Sequence, residues 1–246
     1  MNPIYQTSSQ LKEKARNQME GKYGITIAML LIVQLINVMA GLLIGSFFPA
    51  TSIFTYIIQA ILTFLLSALV NICTIGITLF HLNIACGGPF KLEDLWFGFQ
   101  QNFGKSFVLS LVITAITFVY QEVCGIPLTL YSTTFDMAYL WIGLAVVIIA
   151  AVVFMYLSIL YSQAFYLMLD YPTYSAKEIL KMCPRIMKGH KRRLLYIQLS
   201  FLPLVLLGLL TCGIGTFWVT AYQNMTLTNF YLDLMNPQKP TFDQTV

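Results

Sequence analysis

Long stretches without a charged residue dominate the chain and predict its membrane-spanning helices. Residues 23–90, 137–169 and 194–232 contain no Asp, Glu, Lys or Arg, and residues 107–130 contain only Glu122. A helix that crosses the hydrocarbon core needs about 20 apolar residues. The tracts therefore predict six spans, near residues 25–46, 53–80, 107–130, 138–169, 194–211 and 214–232.

The last two predicted spans are the shortest, and the residues between them allow two interpretations. Cys212, Gly213, Ile214 and Gly215 suit a tight turn between two helices. Glycines also bend membrane helices without ending them, so a single kinked span across this tract is the alternative. Five spans and six spans both remain open on the residues alone.

A recurring pattern precedes each pair of spans and favours six. A helix-capping pair is followed after 11 residues by a glycine and then a cation or histidine: Thr7-x-x-Gln10 before Gly21-Lys22, Phe90-x-x-Glu93 before Gly104-Lys105, and Ser175-x-x-Glu178 before Gly189-His190. The three glycines lie 83 and 85 residues apart. Such spacing indicates internal repetition. We expect one integral membrane domain over 1–246, with units at 7–80, 90–169 and 175–232 and a short polar tail at 233–246.

Each unit is predicted to begin with an amphipathic surface helix, and the third copy shows the pattern best. Ile179, Met182, Cys183 and Ile186 follow the i, i+3, i+4, i+7 spacing of one helical face. Pro184 removes a backbone hydrogen bond and is expected to kink this helix. The segment and the residues after it carry seven cations: Lys177, Lys181, Arg185, Lys188, Lys191, Arg192 and Arg193. They are candidate contacts for anionic lipid or a membrane partner. The alternative is that they only orient the chain in the membrane.

The distribution of basic residues predicts that orientation. Only 10% of the residues are charged, against about 25% in an average soluble domain. Thirteen of the 14 Lys and Arg residues precede span one, lie between spans two and three, or lie between spans four and five. The predicted turns at 47–52, 131–136 and 212–215 contain none. By the positive-inside rule, the amino terminus and the three surface helices face the cytoplasm, and with six spans so does the carboxyl terminus.

Glu122 is the one carboxylate expected in the interior of a span. An ionisable residue at this depth is a candidate proton or cation site that faces a cavity. Alternatively, its side chain reaches the outer headgroups or is protonated. The amides of Gln34, Asn37, Gln59, Asn71, Gln163, Gln223, Asn224 and Asn229 are expected to bond helix to helix.

No residue pattern points to catalysis. The chain lacks a phosphate-binding glycine loop, a G-x-S-x-G elbow and an H-E-x-x-H pair, and its two histidines have no metal-ligand spacing. The five cysteines form no C-x-x-C pair. We therefore expect neither an enzyme nor a bound cofactor or metal, and no nucleic-acid partner.

Several motifs in the carboxyl-terminal third resemble a known family. These are Ala164-Phe165-Tyr166 with Asp170-x-Pro172, Met187-Lys188-Gly189-His190-Lys191, and Leu210-Thr211-x-Gly213-Ile214-Gly215 followed by Trp218 and Asn229-Phe230-Tyr231. The chain resembles the bacterial integral membrane proteins grouped as DUF975, which are distantly similar to the membrane-anchor domain of glycerophosphodiester phosphodiesterases. The resemblance implies a small multi-spanning protein of the bacterial cytoplasmic membrane and brings no catalytic residues.

These observations predict an all-α, polytopic membrane protein of about six spans. The expected function is non-enzymatic binding of membrane lipids, of anionic character, or of a membrane-protein partner or second copy through the basic surface helices. A small permease or exporter component for an amphiphile or an ion, using Glu122, is the alternative.

Overall fold

A computed structural model describes residues 5–49, 52–135 and 137–236. All regular secondary structure in these ranges is helical. The helices are α1 (Ser8–Met19), α2 (Tyr23–Phe47), α3 (Ile53–Asn71), α4 (Cys73–Cys86), a 3₁₀ helix (Leu92–Trp96), α5 (Phe97–Gln100), α6 (Phe103–Thr134), α7 (Met137–Tyr161), α8 (Ala164–Asp170), α9 (Ala176–Ile186), α10 (Lys191–Leu199), α11 (Leu202–Leu210) and α12 (Ile214–Met235). Most of the predicted tail, at 237–246, lies outside the described residues.

Within the described ranges, five helical segments are long and apolar enough to cross a membrane, which confirms the all-α polytopic fold. They are Tyr23–Phe47, Ile53–Cys86, Phe103–Thr134, Met137–Asp170 and Lys191–Leu210. Helix α12 has 22 residues but is not among them, because its Thr, Gln, Asn and Asp side chains lower its mean hydropathy. Apolar side chains on α2, α3, α7 and α11 are largely exposed, as expected of surfaces solvated by lipid tails.

Residues 211–213 form a turn between two packed helices, so this tract is a hairpin and not a single kinked helix. Helix α11 ends at Leu210 and α12 begins at Ile214, and the two pack against each other. Gly213 takes the left-handed conformation at the turn, with φ of 83°. Gly208 lies so close to α12 that an added Cβ would be 3.0 Å from the backbone nitrogen of Thr216.

Helix boundaries differ from the predictions at several places, and the predicted spans at 138–169 and 194–211 are each divided into two helices, at 162–163 and 200–201. Helix α6 continues to Thr134, so most of the predicted turn at 131–136 is helical, and Asp136 lies outside the described residues. The predicted span at 53–80 is interrupted at Ile72, where α3 ends and α4 begins. Pro184 lies inside α9, which ends two residues later at Ile186.

Two of the three predicted surface helices form with their capping pairs. In α1 the Thr7 backbone N–H donates to Gln10 Oε1 at 2.8 Å. In α9 the Ser175 backbone N–H donates to Glu178 Oε2 at 2.7 Å. The hydrogen bonds from the Ser175 backbone and hydroxyl lower the pKa of the Glu178 carboxyl, because they stabilise its charged form.

The middle surface segment departs from its prediction. It forms a 3₁₀ turn and the single α-turn α5, and its cap is the Lys91 backbone N–H donating to Asp94 Oδ2 at 2.9 Å instead of a Phe90–Glu93 pair. The backbone of this segment lies directly on α4, where Gly76 permits the approach. A regular helix of the predicted length is not formed there. The repeat organisation of the whole chain stays a prediction.

The apolar faces of α1 and α9 are buried within the protein. Leu11, Ala15 and Met19 of α1 have no exposed surface, and α1 packs against α12. Ile179 and Cys183 of α9 are equally buried in a cluster with α8. Burial raises the pKa of Cys183 to about 12. Both helices therefore turn only their polar faces outward, at the end of the bundle that carries the basic residues (the basic end).

Candidate functional site

The cations of α9 form an exposed stripe on its outward face. Lys177, Lys181 and Arg185 are spaced at i, i+4 and i+8, so they project from one side of the helix. Lys188 follows in the next turn, and all four side chains are exposed. Glu178 is the one acidic residue within α9. We call Lys177, Lys181, Arg185 and Lys188 the basic stripe.

Arg192 is also exposed, whereas Lys191 and Arg193 contact the protein. Lys191 Nζ donates to the Tyr156 hydroxyl at 3.0 Å and lies 4.6 Å from the centre of that ring. The structure therefore brings four of the seven predicted contact residues onto one surface. Lys191 is partly used in anchoring α10 to α7.

Arg193 forms an ion pair with Asp233 near the end of α12. The Asp233 side chain is 2% exposed and that of Arg193 is 19% exposed. Arg193 Nη2 also donates to the Gln6 backbone oxygen at 2.6 Å, and the Gln6 N–H donates to Asp233 Oδ2 at 3.2 Å. The guanidinium lies 5.0 Å from the ring centre of Phe230. This cluster joins the amino-terminal segment, α10 and α12.

His190 lies beside this cluster, with its ring 4.6 Å from that of Tyr5. Burial lowers the pKa of His190, and the positive charge of Arg193 lowers it further. A neutral imidazole avoids placing a second cation next to the guanidinium. His190 therefore fits a packing role in this region.

Glu122 accepts a hydrogen bond from the Tyr56 hydroxyl, which links α6 to α3. It lies 12 residues from the end of α6 at Thr134, which corresponds to about 18 Å along the helix. Its carboxylate is thus engaged at a helix contact. The predicted role as a proton or cation site stays a prediction.

A groove of about 280 Å³ between α2, α3 and α6 is lined largely by polar side chains. Asn37 and Asn71 were expected there only as helix-to-helix contacts. The polar partners on α6 were missed, although Thr114, Thr117 and Gln121 follow an i, i+3, i+7 spacing that marks one helical face. Position in the sequence does not show that this face meets Asn71.

The described residues contain no group of three or more His, Cys, Asp or Glu side chains that could hold a metal ion. All five cysteines are free. Titratable side chains meet at the Arg193–Asp233 cluster, at Tyr56 with Glu122 and at Tyr231 with Asp170, and at each place they are engaged with one another.

The five apolar helical segments and the packed basic end define a polytopic α-helical membrane protein. A family model described as a protein of unknown function, DUF975, matches residues 1–238. The chain belongs to this family, as its motifs predicted. No curated protein and no solved structure matched the chain. Similarity to the membrane-anchor domain of glycerophosphodiester phosphodiesterases stays a prediction.

Proposed function

We propose that this is a non-enzymatic, six-span protein of the bacterial cytoplasmic membrane that binds anionic lipid headgroups through the basic stripe of α9. The observation that supports the proposal is that the two faces of α9 have different surroundings. The apolar face is packed inside the protein, so the basic face is the surface left for a ligand. The phosphate groups of anionic lipids carry the complementary charge and lie at the adjacent membrane surface.

Short connections keep the stripe close to the membrane. Residues 187–190 join α9 to α10, which begins a candidate span at Lys191. Four residues reach at most about 14 Å when fully extended. The Debye length is about 8 Å at physiological ionic strength, so charges much farther than this from the headgroups are screened. The long side chains of lysine and arginine bring their charges nearer to the headgroups. Each cation near an anionic leaflet contributes about 1 kcal/mol.

Removing charge from the stripe is expected to reduce lipid binding. We expect K177Q/K181Q/R185Q to lower the retention of phosphatidylglycerol over phosphatidylcholine at least about tenfold, since three such contributions sum to about 3 kcal/mol. Native mass spectrometry of the protein released from nanodiscs of mixed composition measures this ratio. Wild-type retention should also fall as salt is raised.

The matched control is K14Q/R16Q/K91Q, which removes three exposed cations from other segments of the basic end. It should leave the ratio near the wild-type value. Equal loss in both triple variants would show that only total charge matters and would refute a site on α9. Loss of a stoichiometric protein companion instead of lipid would assign the stripe to a membrane partner.

The proposed topology places both termini in the cytoplasm, with α12 completing the sixth span. The 211–213 turn supports this, because α12 returns along α11 to the buried pair with Arg193. Cys212 in this turn and Cys86 at the end of α4 are both exposed. The two cysteines therefore report on opposite ends of the bundle.

Single-cysteine variants are expected to label from opposite sides. In intact cells, a membrane-impermeant maleimide should modify a variant that keeps only Cys212, because its thiol faces outward. A variant that keeps only Cys86 should react only after the cells are permeabilised. Protection of Cys212 in intact cells, with labelling after permeabilisation, would contradict six spans.

A permease for an amphiphile is the second candidate function. It is favoured by the polar groove between α2, α3 and α6, because polar side chains within membrane spans commonly mark substrate sites. Glu122 does not line that groove. In this version Glu122 holds α3 and α6 together through Tyr56, and transport would depend on the groove.

A further inference from the structure

The groove between α2, α3 and α6 is lined largely by side chains that can both donate and accept hydrogen bonds. Helix α3 packs against both α2 and α6, and these two helices form the sides of the groove. The groove is lined by Val33, Asn37, Ser67, Val70, Asn71, Thr74, Ile113, Thr114, Thr117, Phe118 and Gln121. None of these side chains is charged. An ionic ligand would find no counter-charge there, so the lining selects an uncharged one.

One end of the groove is held by a fixed hydrogen-bond network at the break between α3 and α4. The Asn71 amide donates to Thr114 Oγ1 at 3.2 Å. Thr74 Oγ1 donates to Asn71 Oδ1 at 2.9 Å. These bonds fix the distance between α3 and α6 and orient the Asn71 side chain. The network is structural and leaves other groups available.

Other polar groups in the groove lack protein partners. The side chains of Ser67 and Gln121 form no hydrogen bond within the described part of the chain. Asn37 donates to the Val33 backbone oxygen at 3.0 Å, which leaves its amide oxygen available. Polar groups inside membrane spans are unfavourable unless they are hydrogen-bonded. These three residues therefore provide donors and acceptors that suit a bound polar group.

A separate, apolar groove lies on another face of the contact between α3 and α6. It measures about 360 Å³ and is lined by Tyr56, Ile57, Ala60, Ile61, Phe64, Ala115, Phe118 and Val119. Phe118 lines both grooves, and its ring lies 5.3 Å from that of Phe64. On α6 the two grooves use the same stretch of helix but different faces, and the contact between Phe64 and Phe118 lies between them. A ligand whose polar head enters the polar groove therefore keeps its hydrocarbon chain among the surrounding lipid tails.

From this arrangement we propose that the α2–α3–α6 groove binds an uncharged amphiphile. Its hydroxyl or ester head lies among Asn37, Ser67 and Gln121, and its acyl chain extends from the groove into the surrounding bilayer. The site is separate from the basic stripe, which takes anionic headgroups. The inference does not depend on lipid binding by the basic stripe; it rests on the second candidate function, the permease, and names the class of ligand that the groove takes.

A photoactivatable monoacylglycerol is a suitable probe, with the full-length protein in phosphatidylcholine nanodiscs. We expect crosslinks to peptides that contain residues 67–74 and 113–121, and unlabelled monoolein should suppress them. S67A/Q121L should reduce the adduct at least about fivefold, because the head loses its hydrogen-bond partners. Both positions lack protein partners, so the variant should fold, and thermal unfolding verifies this.

Gln34→Leu is the matched control, because Gln34 is exposed on α2 and does not line the groove. It should label like wild type. Asn37→Leu, which alters the groove from the opposite wall, provides a second test should S67A/Q121L fold poorly. Undiminished labelling in both groove variants would overturn the proposal. So would competition by phosphatidylglycerol as strong as that by monoolein, since the site would then not select an uncharged head.

Discussion

Replacing Asp233 by leucine is expected to destabilise the protein by about 3–5 kcal/mol. The substitution leaves the Arg193 guanidinium partly buried without its carboxylate partner, and removal of one member of a buried pair has this cost. The Gln6 N–H loses its acceptor at the same time. The segment before α1 should therefore detach from α12. Equilibrium unfolding of the detergent-purified protein measures the effect.

Two further variants separate the loss of the pair from a general effect of the substitution. R193M/D233L should recover most of the lost stability, because neither charge is then left unpaired. Glu13→Leu, which changes an exposed carboxylate on α1, should alter the free energy of unfolding by less than about 0.5 kcal/mol. A double variant less stable than either single variant would show that the ion pair is not the source of the effect.

Replacing Gly76 by alanine is expected to lower stability by at least about 3 kcal/mol. An added Cβ would lie 2.6 Å from the carbonyl carbon of Leu95, and it would be closer still to the carbonyl oxygens of Asp94 and Leu95. Both sides of this contact are backbone, so no side-chain rotation relieves the overlap. The 3₁₀ segment must move away from α4. Thermal unfolding and the yield of monodisperse protein report the loss.

Gly41→Ala is the control for this substitution. Gly41 is also in the interior of a helix, but an added Cβ there meets no atom within 4 Å. Alanine is the better helix former by about 1 kcal/mol, so this variant should be equally or more stable than wild type. Similar stability of the Gly41 and Gly76 variants would refute the close backbone packing of α4 on the 3₁₀ segment.

The helices could be predicted because their determinants are local. Apolar tracts longer than a membrane span mark α2, α3, α6 and α7 without reference to the rest of the chain. The capping pairs of α1 and α9 are likewise formed by residues three apart. The local pattern was insufficient for the middle surface segment. Its backbone packs directly on α4 at Gly76, a residue well separated from it in the sequence.

The candidate sites were less predictable, because they depend on which helices meet. Arg193 looks like one more member of a basic run, and only its contact with Asp233, 40 residues away, distinguishes it from exposed Arg192. The polar residues of α6 are visible as a stripe in the sequence. Their apposition to Asn71 follows from the packing of α3 on α6, which the sequence pattern does not specify.

The packing of α1 on α12 has a consequence for how the protein is made. Leu11, Ala15 and Met19 are synthesised early, yet much of the surface that buries them belongs to α12, about 200 residues later. Ribosomes add about 5–20 residues per second, so the apolar face of α1 waits about 10–40 s for its partner. During that time the five candidate spans between α1 and α12 are made, and α1 has only its contacts with α4 and α10. The apolar face of α1 is therefore fully covered only once α12 has been made, and a chain truncated before α12 leaves part of that face exposed to chaperones and proteases.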